Sequence, residues 1–397
     1  MLSLVVGAFL FVGQHMAMAQ EAVVSKLEFN RVNLSSWIFR GQGKAEPDEN
    51  FRLTQASDGT PALEFAVKED SPEYLQRSIT AENRHLPVQP GYYRLRFRLR
   101  TDLSSGFAYP QIFAQQINGR HIDIVAPETV AGLRISGETP WREYSLIFQM
   151  PADITVASLN LKVDNGIGAA TFADLRLEKL SDETGSKLLG QGSELKVDGS
   201  TDTLFYRDDM DGDKGEWIKD GTAPYWFEGG KMVVDCLPGK TSGMFTLWLN
   251  RPLSGDFYIA YDTMCMDPEV WNNLNFFLLG RTLDGELPTP GRFDSSYGQY
   301  HQEAKTYIGT LTYKWSRMRK DPGFNLISED QSMVGHVNRK YFFEIIKKGK
   351  TIEWRIDGKT AHRVEDPEIY ESGLFAFRSA DTKFWVDNFQ IYQLSSR

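Results

Sequence analysis

Along much of this chain apolar and polar residues alternate one for one. Tyr93, Leu95, Phe97 and Leu99 are separated by Arg94, Arg96, Arg98 and Arg100. That period of two places one set on each face of a β-strand. Trp141–Met150 and Ala157–Val163 read as further strands, each ended by Pro, Gly or Asn, and Thr171–Leu180 as another. A second series runs through Lys231–Leu237, Met244–Leu249, Asp256–Cys265, Leu274–Leu279, Thr306–Tyr313, Tyr341–Ile346, Thr351–Ile356, Gly373–Arg378 and Phe384–Tyr392. Lys347-Lys348-Gly349-Lys350 and Asp357-Gly358-Lys359 supply tight turns between neighbouring strands. Helical periodicity is scarce. The pattern predicts an all-β chain of two β-sandwich domains, a jelly roll over residues 27–180 and a second sandwich over 204–394. Residues 181–203, polar and rich in Gly and Ser, read as a linker. The two halves end alike: Phe172-Ala173-Asp174-Leu175-Arg176-Leu177 resembles Val386-Asp387-Asn388-Phe389-Gln390-Ile391.

With 397 residues, each half is long enough for a core of its own. A net charge of -9 argues against nucleic acid or an anionic membrane as the partner, since both select positive charge. Leu2–Gly13 is apolar but too short to cross a bilayer, and Ala17-Met18-Ala19 follows it as an A-x-A cleavage pattern. Residues 1–19 therefore predict a signal peptide, and the expected location is periplasmic or secreted, without membrane insertion. Cys236 and Cys265 are the only cysteines and read as buried free thiols, although export would permit a disulfide.

The first half resembles the jelly-roll carbohydrate-binding modules of xylan- and glucan-degrading enzymes. Tyr92-Tyr93-Arg94-Leu95, Trp141-Arg142-Glu143-Tyr144, and Leu159–Leu177 with Gly166 and Gly168 carry the resemblance. The second half resembles the YesU-like family of concanavalin-type sandwiches, through Leu204-Phe205-Tyr206-Arg207-Asp208, Tyr300-His301, Leu311-Thr312-Tyr313, Arg319-Lys320-Asp321-Pro322-Gly323-Phe324 and Phe375-Ala376-Phe377-Arg378. The resemblance implies a concanavalin A-like lectin/glucanase-type jelly roll in a setting of polysaccharide degradation, with a polysaccharide or oligosaccharide as partner.

Residues 297–329 mix one His, several Tyr and a run of Arg and Lys, more than a core strand needs. β-Elimination on a uronate requires a base, an acid and a neutraliser for the carboxylate. Gln299-Tyr300-His301 has the Gln-x-His form of concanavalin-type alginate lyases, and in a strand Gln299 and His301 would share a face. The expected catalytic set is His301, Tyr313 and Tyr300. The expected substrate contacts are Gln299, Asn275, Arg292, Arg317, Arg319 and Lys320, since Arg, Gln and Asn neutralise carboxylates. Each has a structural alternative, from a satisfied strand histidine to a solvated basic loop. Hydrolysis, the rival reaction, needs two carboxyl groups flanking the bond. Glu303 and Asp262 are candidates, with Glu329 third. Non-catalytic glycan binding is the other alternative.

Trp37, Tyr109 and Trp141 are potential sugar-stacking platforms, with core packing the default for any Trp. The four alternating Arg could grip an acidic glycan, or face solvent paired with acids of a neighbouring strand. The chemistry requires no cofactor. Asp208, Asp209, Asp211 and Asp213 read as a solvated turn. Structural calcium, held by Asp208 with Asp387 and by Glu28 with Asp174, is the alternative.

Overall fold

The alternation around Tyr93 is realised as written: Tyr93, Leu95, Phe97 and Leu99 are at most 1% exposed, while the intervening Arg side chains face outward. The computed structural model describes residues 22–27, 29, 37–41, 50–84, 86, 89–190, 193–237, 244–266, 273–293 and 295–395. The signal-peptide segment and Glu28 lie outside the described residues.

In the first domain the strands are β1 (Ala22–Leu27), β2 (Trp37–Gly41), β3 (Phe51–Gln55), β4 (Pro61–Val67), β5 (Ser78–Asn83), β6 (Gly91–Gln116), β7 (His121–Val125), β8 (Ile135–Met150) and β9 (Ile154–Lys179). Helix α1 (Glu73–Arg77) interrupts them. Strands β6 and β9 pair antiparallel over nearly their whole length and form the spine of the domain. Residues 181–203, expected as a linker, carry helix α2 (Asp182–Leu189) and the short β10 (Lys196–Val197), which pairs with β8.

The second domain comprises β11 (Thr203–Asp208), β12 (Trp217–Gly221), β13 (Tyr225–Phe227), β14 (Met232–Asp235), β15 (Met244–Leu249), β16 (Leu253–Ser254), β17 (Phe257–Cys265), β18 (Asn273–Thr282), helix α3 (Tyr297–Glu303), β19 (Ala304–Thr312), β20 (Ser316–Asp321), β21 (Asn325–Asp330), β22 (Lys340–Lys348), β23 (Thr351–Ile356), β24 (Lys359–Glu365), β25 (Ser372–Ala380) and β26 (Lys383–Gln393). One sheet runs β13-β14-β26-β17-β22-β23-β24 and the other β12-β15-β25-β18-β19-β20-β21. Aromatic residues from both, including Tyr261, Phe276, Trp354, Phe375 and Phe389, close the core between them. The chain is thus all-β, built as two sandwiches. Asp357 (φ 52°) and Gly358 (φ 75°) make the two-residue turn between β23 and β24, both in the left-handed region that such hairpins require. Cys236 and Cys265 are buried free thiols, and burial pushes the Cys236 thiol up to about 12.

The two sandwiches touch. The Arg134 guanidinium donates twice to Asp262, at 2.9 and 3.2 Å, and lies 4.3 Å from the Phe342 ring. Ser136 Oγ donates to Glu344 at 2.8 Å, and the Gly106 amide donates to the Asp357 carbonyl at 2.7 Å. A Cβ on Gly358 would meet the Gly106 carbonyl at 2.2 Å, so the turn also needs glycine for this approach. No helix among the described residues is long and apolar enough to cross a membrane.

Candidate functional site

The strand register aligns a polar row across the outer face of the second sheet. Asp220 of β12 pairs with Thr246 of β15, Thr246 with Arg378 of β25, and Arg378 with Asn275 of β18. Asn275 pairs with Thr310 of β19, Thr310 with Arg317 of β20, and Arg317 with Glu329 of β21. Opposed positions share a face, so seven strands contribute one polar side chain each. The neighbouring row, Ile218, Trp248, Ala376, Phe277 and Ile308, is apolar, and residues 287–304 cover it through Leu287, Phe293, Tyr300 and Ala304.

That cover buries one end of the polar row. Arg378 is 0% exposed and donates to the Ser295 carbonyl at 3.1 Å, and the Thr246 and Ser295 hydroxyls lie 2.7 Å apart. Asn275 holds Asn273 through its amide nitrogen at 3.0 Å, while its buried Oδ1 has no hydrogen-bond partner among the described residues. The opposite end is open. Arg317 lies 3.7 Å from the half-exposed Trp315 ring, with Arg319 5.5 Å from the same ring, and Glu329 engages Arg317 Nε. Tyr313, 44% exposed, stands at this end with the Lys314 ammonium 5.1 Å from its ring.

The expected catalytic trio does not converge. Tyr297–Glu303 is helix α3 and not a strand, so Gln299 and His301, two residues apart, point to different sides. The signal for this was present: Ser296-x-x-Gln299 is a capping-box pattern, and the Ser296 side chain accepts from the Gln299 amide. Tyr300 is fully buried against Phe277, Phe293 and Trp248, and burial pushes its hydroxyl pKa up, so it presents no base to solvent. His301 Nδ1 lies 2.8 Å from Asp321 Oδ2, its ring packs on Phe324, and its carbonyl accepts from the Gly323 amide. Tyr313 follows the other end of β19, roughly 20–25 Å away by the rise of an extended strand.

The expected binding residues divide. Asn275 and Arg317 share the polar row, and Arg319 stands in the next row, with its guanidinium 4.1 Å from the Phe324 ring. Lys320 points to the other side of β20, where it donates to Asp366 at 2.7 Å and to the Glu368 carbonyl at 2.9 Å. Arg292 is paired with Glu303 at 3.0 Å, and Gln299 also donates to Glu303. Arg378, Thr246 and Thr310 were not anticipated as site residues. An arginine inside the apolar strand Leu374-Phe375-Ala376-Phe377-Arg378 was the available sign.

The hydrolytic carboxyl pair is also separated. Asp262 lies on β17 of the first sheet, occupied by Arg134, whereas Glu303 and Glu329 belong to the second-sheet side and pair with Arg292 and Arg317. In the first domain Trp37 and Tyr109 are core residues at 5% and 4% exposure. Trp141 is half-buried, with Arg98 and Arg100 at 5.4 and 5.8 Å from its ring. The four alternating Arg meet acids: Arg94 and Arg96 meet Glu178, Arg98 meets Asp58 and Arg100 faces Glu64.

The calcium positions are filled by donors. Asp208 accepts from the Tyr206 hydroxyl, the Trp217 indole and the Met210 amide, with Lys214 at 3.1 Å. Arg176 engages both oxygens of Asp174. Asp387 accepts from the Asn388 amide at 2.7 Å and faces Lys231 at 3.8 Å. Among the described residues no group of His, Cys, Asp and Glu could hold a metal ion.

Residues 240–389, from β15 into β26, match a family model described as a domain of unknown function, DUF6250. No curated protein matches the chain. Among solved structures, a Bacillus subtilis protein of unknown function with a galectin-like fold is 16% identical, with a TM-score of 0.43, covering 49% of this chain and 98% of its own. The carbohydrate-binding module CBM66 from Bacillus subtilis is 15% identical at a TM-score of 0.34, over 45% of this chain and 96% of its own. The tandem CBM22 modules of Paenibacillus barcinonensis Xyn10C are 11% identical at a TM-score of 0.29, over 95% of this chain and 98% of theirs. What this chain binds has to follow from its own residues.

Proposed function

We propose that this protein is exported and binds an acidic, uronate-containing glycan on the outer face of the second sheet of its C-terminal sandwich. The observation that carries the reading is the open end of the polar row, where the partly exposed Arg317 guanidinium lies on the Trp315 ring and the buried Arg319 lies 5.5 Å from the same ring. An indole face packs against the C–H face of a pyranose, and a planar guanidinium fork fits a carboxylate. Thr310 and Asn275 continue the row inward as buried groups, 4% and 5% exposed, that support this end of the sheet.

Binding is favoured over cleavage by placement. Elimination needs its base and acid within reach of one sugar, and His301 and Tyr313 stand at opposite ends of β19. Hydrolysis needs two carboxyl groups across one bond, and Asp262 lies on the other sheet from Glu303 and Glu329.

The test is affinity electrophoresis and incubation with polygalacturonate, alginate and a neutral glucan. The acidic polymers should retard the protein, with no rise in the ultraviolet absorbance of unsaturated uronate and no new reducing ends. Trp315→Ala and Arg317→Ala should each weaken retardation by about tenfold, the loss of about 1.4 kcal/mol expected for one stacking or charge-assisted contact. Unsaturated product would establish a lyase, and reducing ends without that absorbance a hydrolase. Unchanged retardation in both variants would move the binding site elsewhere.

A further inference from the structure

A cleft of about 650 Å³ lies between the two sandwiches, remote from Trp315 and bounded by β8 and β10 on one side and by β17, β22, β23 and β26 on the other. Its volume falls within the roughly 300–1,000 Å³ of small-molecule sites. Two polar atoms on its wall lack hydrogen-bond partners among the described residues. Glu344 is 2% exposed, and its Oε1 accepts from Ser136 at 2.8 Å and from the Tyr258 hydroxyl at 3.1 Å, but its buried Oε2 has no partner. The Tyr392 hydroxyl is likewise buried without a partner. A Cβ on Gly132 would come within 2.8 Å of that hydroxyl, so the close approach there depends on glycine. Leaving a buried polar atom unpaired costs free energy that an occupant with hydroxyl groups would recover.

The charges on the wall favour a neutral occupant. Arg134 is committed to Asp262 and Arg355 to Glu353. The other charged groups facing the cleft are Arg142 and Lys196 of one sign and Glu194, Asp202 and Glu344 of the other, so neither sign dominates. Burial raises the pKa of Glu194 and Glu344. Tyr258, Tyr392 and Ile346 supply apolar surface beside these polar groups, the mixture that a sugar ring with its C–H faces and hydroxyl edge requires.

We infer that the cleft between the domains is a second binding site, for a neutral mono- or disaccharide, whose hydroxyl groups donate to Glu344 Oε2 and bond the Tyr392 hydroxyl. The inference stands independently of the acidic-glycan face.

Titration calorimetry of the full chain with glucose, galactose, xylose, cellobiose and xylobiose tests it. At least one sugar should bind with a millimolar or tighter Kd. Tyr392→Phe, which removes the hydroxyl that the sugar bonds, should weaken that binding by about tenfold, and Ser200→Trp, which fills the cleft, should abolish it. Trp315→Ala should leave it unchanged while weakening polygalacturonate retardation. Melting temperatures without sugar establish that the variants fold, and Tyr392→Phe alone decides the matter if Ser200→Trp does not fold. No binding by any of the five sugars overturns the inference. So does binding that survives both cleft variants, or binding lost in Trp315→Ala, which would assign it to the outer sheet face.

Discussion

Burial pushes the Asp387 carboxyl up to about 6 from an ordinary 3.8, because β26 takes it out of water near Asp262, and the Asn388 amide, Lys231 and Lys340 compensate in part. Between about pH 4 and 6 the unfolded chain has lost a proton that the folded chain retains. Stability therefore falls as pH rises through that window and is flat above it. Asp387→Asn removes this dependence. The variant should be more stable than the wild type at pH 7, by up to about 3 kcal/mol, and equal to it below pH 4. His362 acts with the opposite sign in an overlapping range. Burial lowers it to about 4, between the Ser328 and Ser316 hydroxyls, so its contribution to stability is lost as pH falls from 6.5. The two effects partly cancel, and only the difference between wild type and variant isolates Asp387. Urea melts at both pH values provide it, and an equal difference at each would show that the carboxyl charge is not the source.

At the scale of single elements, His301 acts as a clasp between α3 and the tip of the β20–β21 hairpin. Its ring meets Asp321 and Phe324, and its backbone carbonyl holds the Gly323 amide. His301→Ala should cost about 1–2 kcal/mol of stability, from one charge-assisted hydrogen bond and the lost ring packing. Amide exchange should quicken at Gly323 and Phe324 first; protection unchanged there would deny the clasp. This element also marks where the sequence stopped being legible. Strands with strict alternation, such as the first half of β6, and the Asp357-Gly358 turn were readable because their determinants are local. The matching ends of the two halves were readable too, and the structure supplies a shared cause: Asp174 and Asn388, at equivalent positions, both adopt positive φ (51° and 52°) at bulges in β9 and β26. Helix α3 was missed because a Tyr- and His-rich segment with Gly298 has weak helix propensity, and only the cap at Ser296 betrays it. Thr246, Arg378, Asn275, Thr310 and Arg317 come from four separate stretches of chain. Register unites them, and no spacing along one sequence encodes that.

At the scale of the whole molecule, the joint between the sandwiches is built around a buried ion pair, which behaves differently from the surface pairs on β6. Arg134 and Asp262 are 6% and 1% exposed at their side chains, between the Phe107 and Phe342 rings and beside Asn388. Removing Arg134 leaves the buried Asp262 carboxylate with the Asn388 amide and a Lys340 ammonium 3.9 Å away in a medium that solvates it poorly, whereas replacing both by apolar groups removes the desolvation cost along with the attraction. Arg134→Met should therefore destabilise the protein by about 3–5 kcal/mol, and Arg134→Met/Asp262→Leu should recover most of that loss. The contacts at Gly106, Ser136 and Gly132 couple the two domains, so the wild type should melt in calorimetry as one transition. Arg134→Met should split it into two, with the double variant restoring a single peak. Equal losses in the single and double variants would mean that the pair supplies net attraction at the joint instead of merely compensating its own burial.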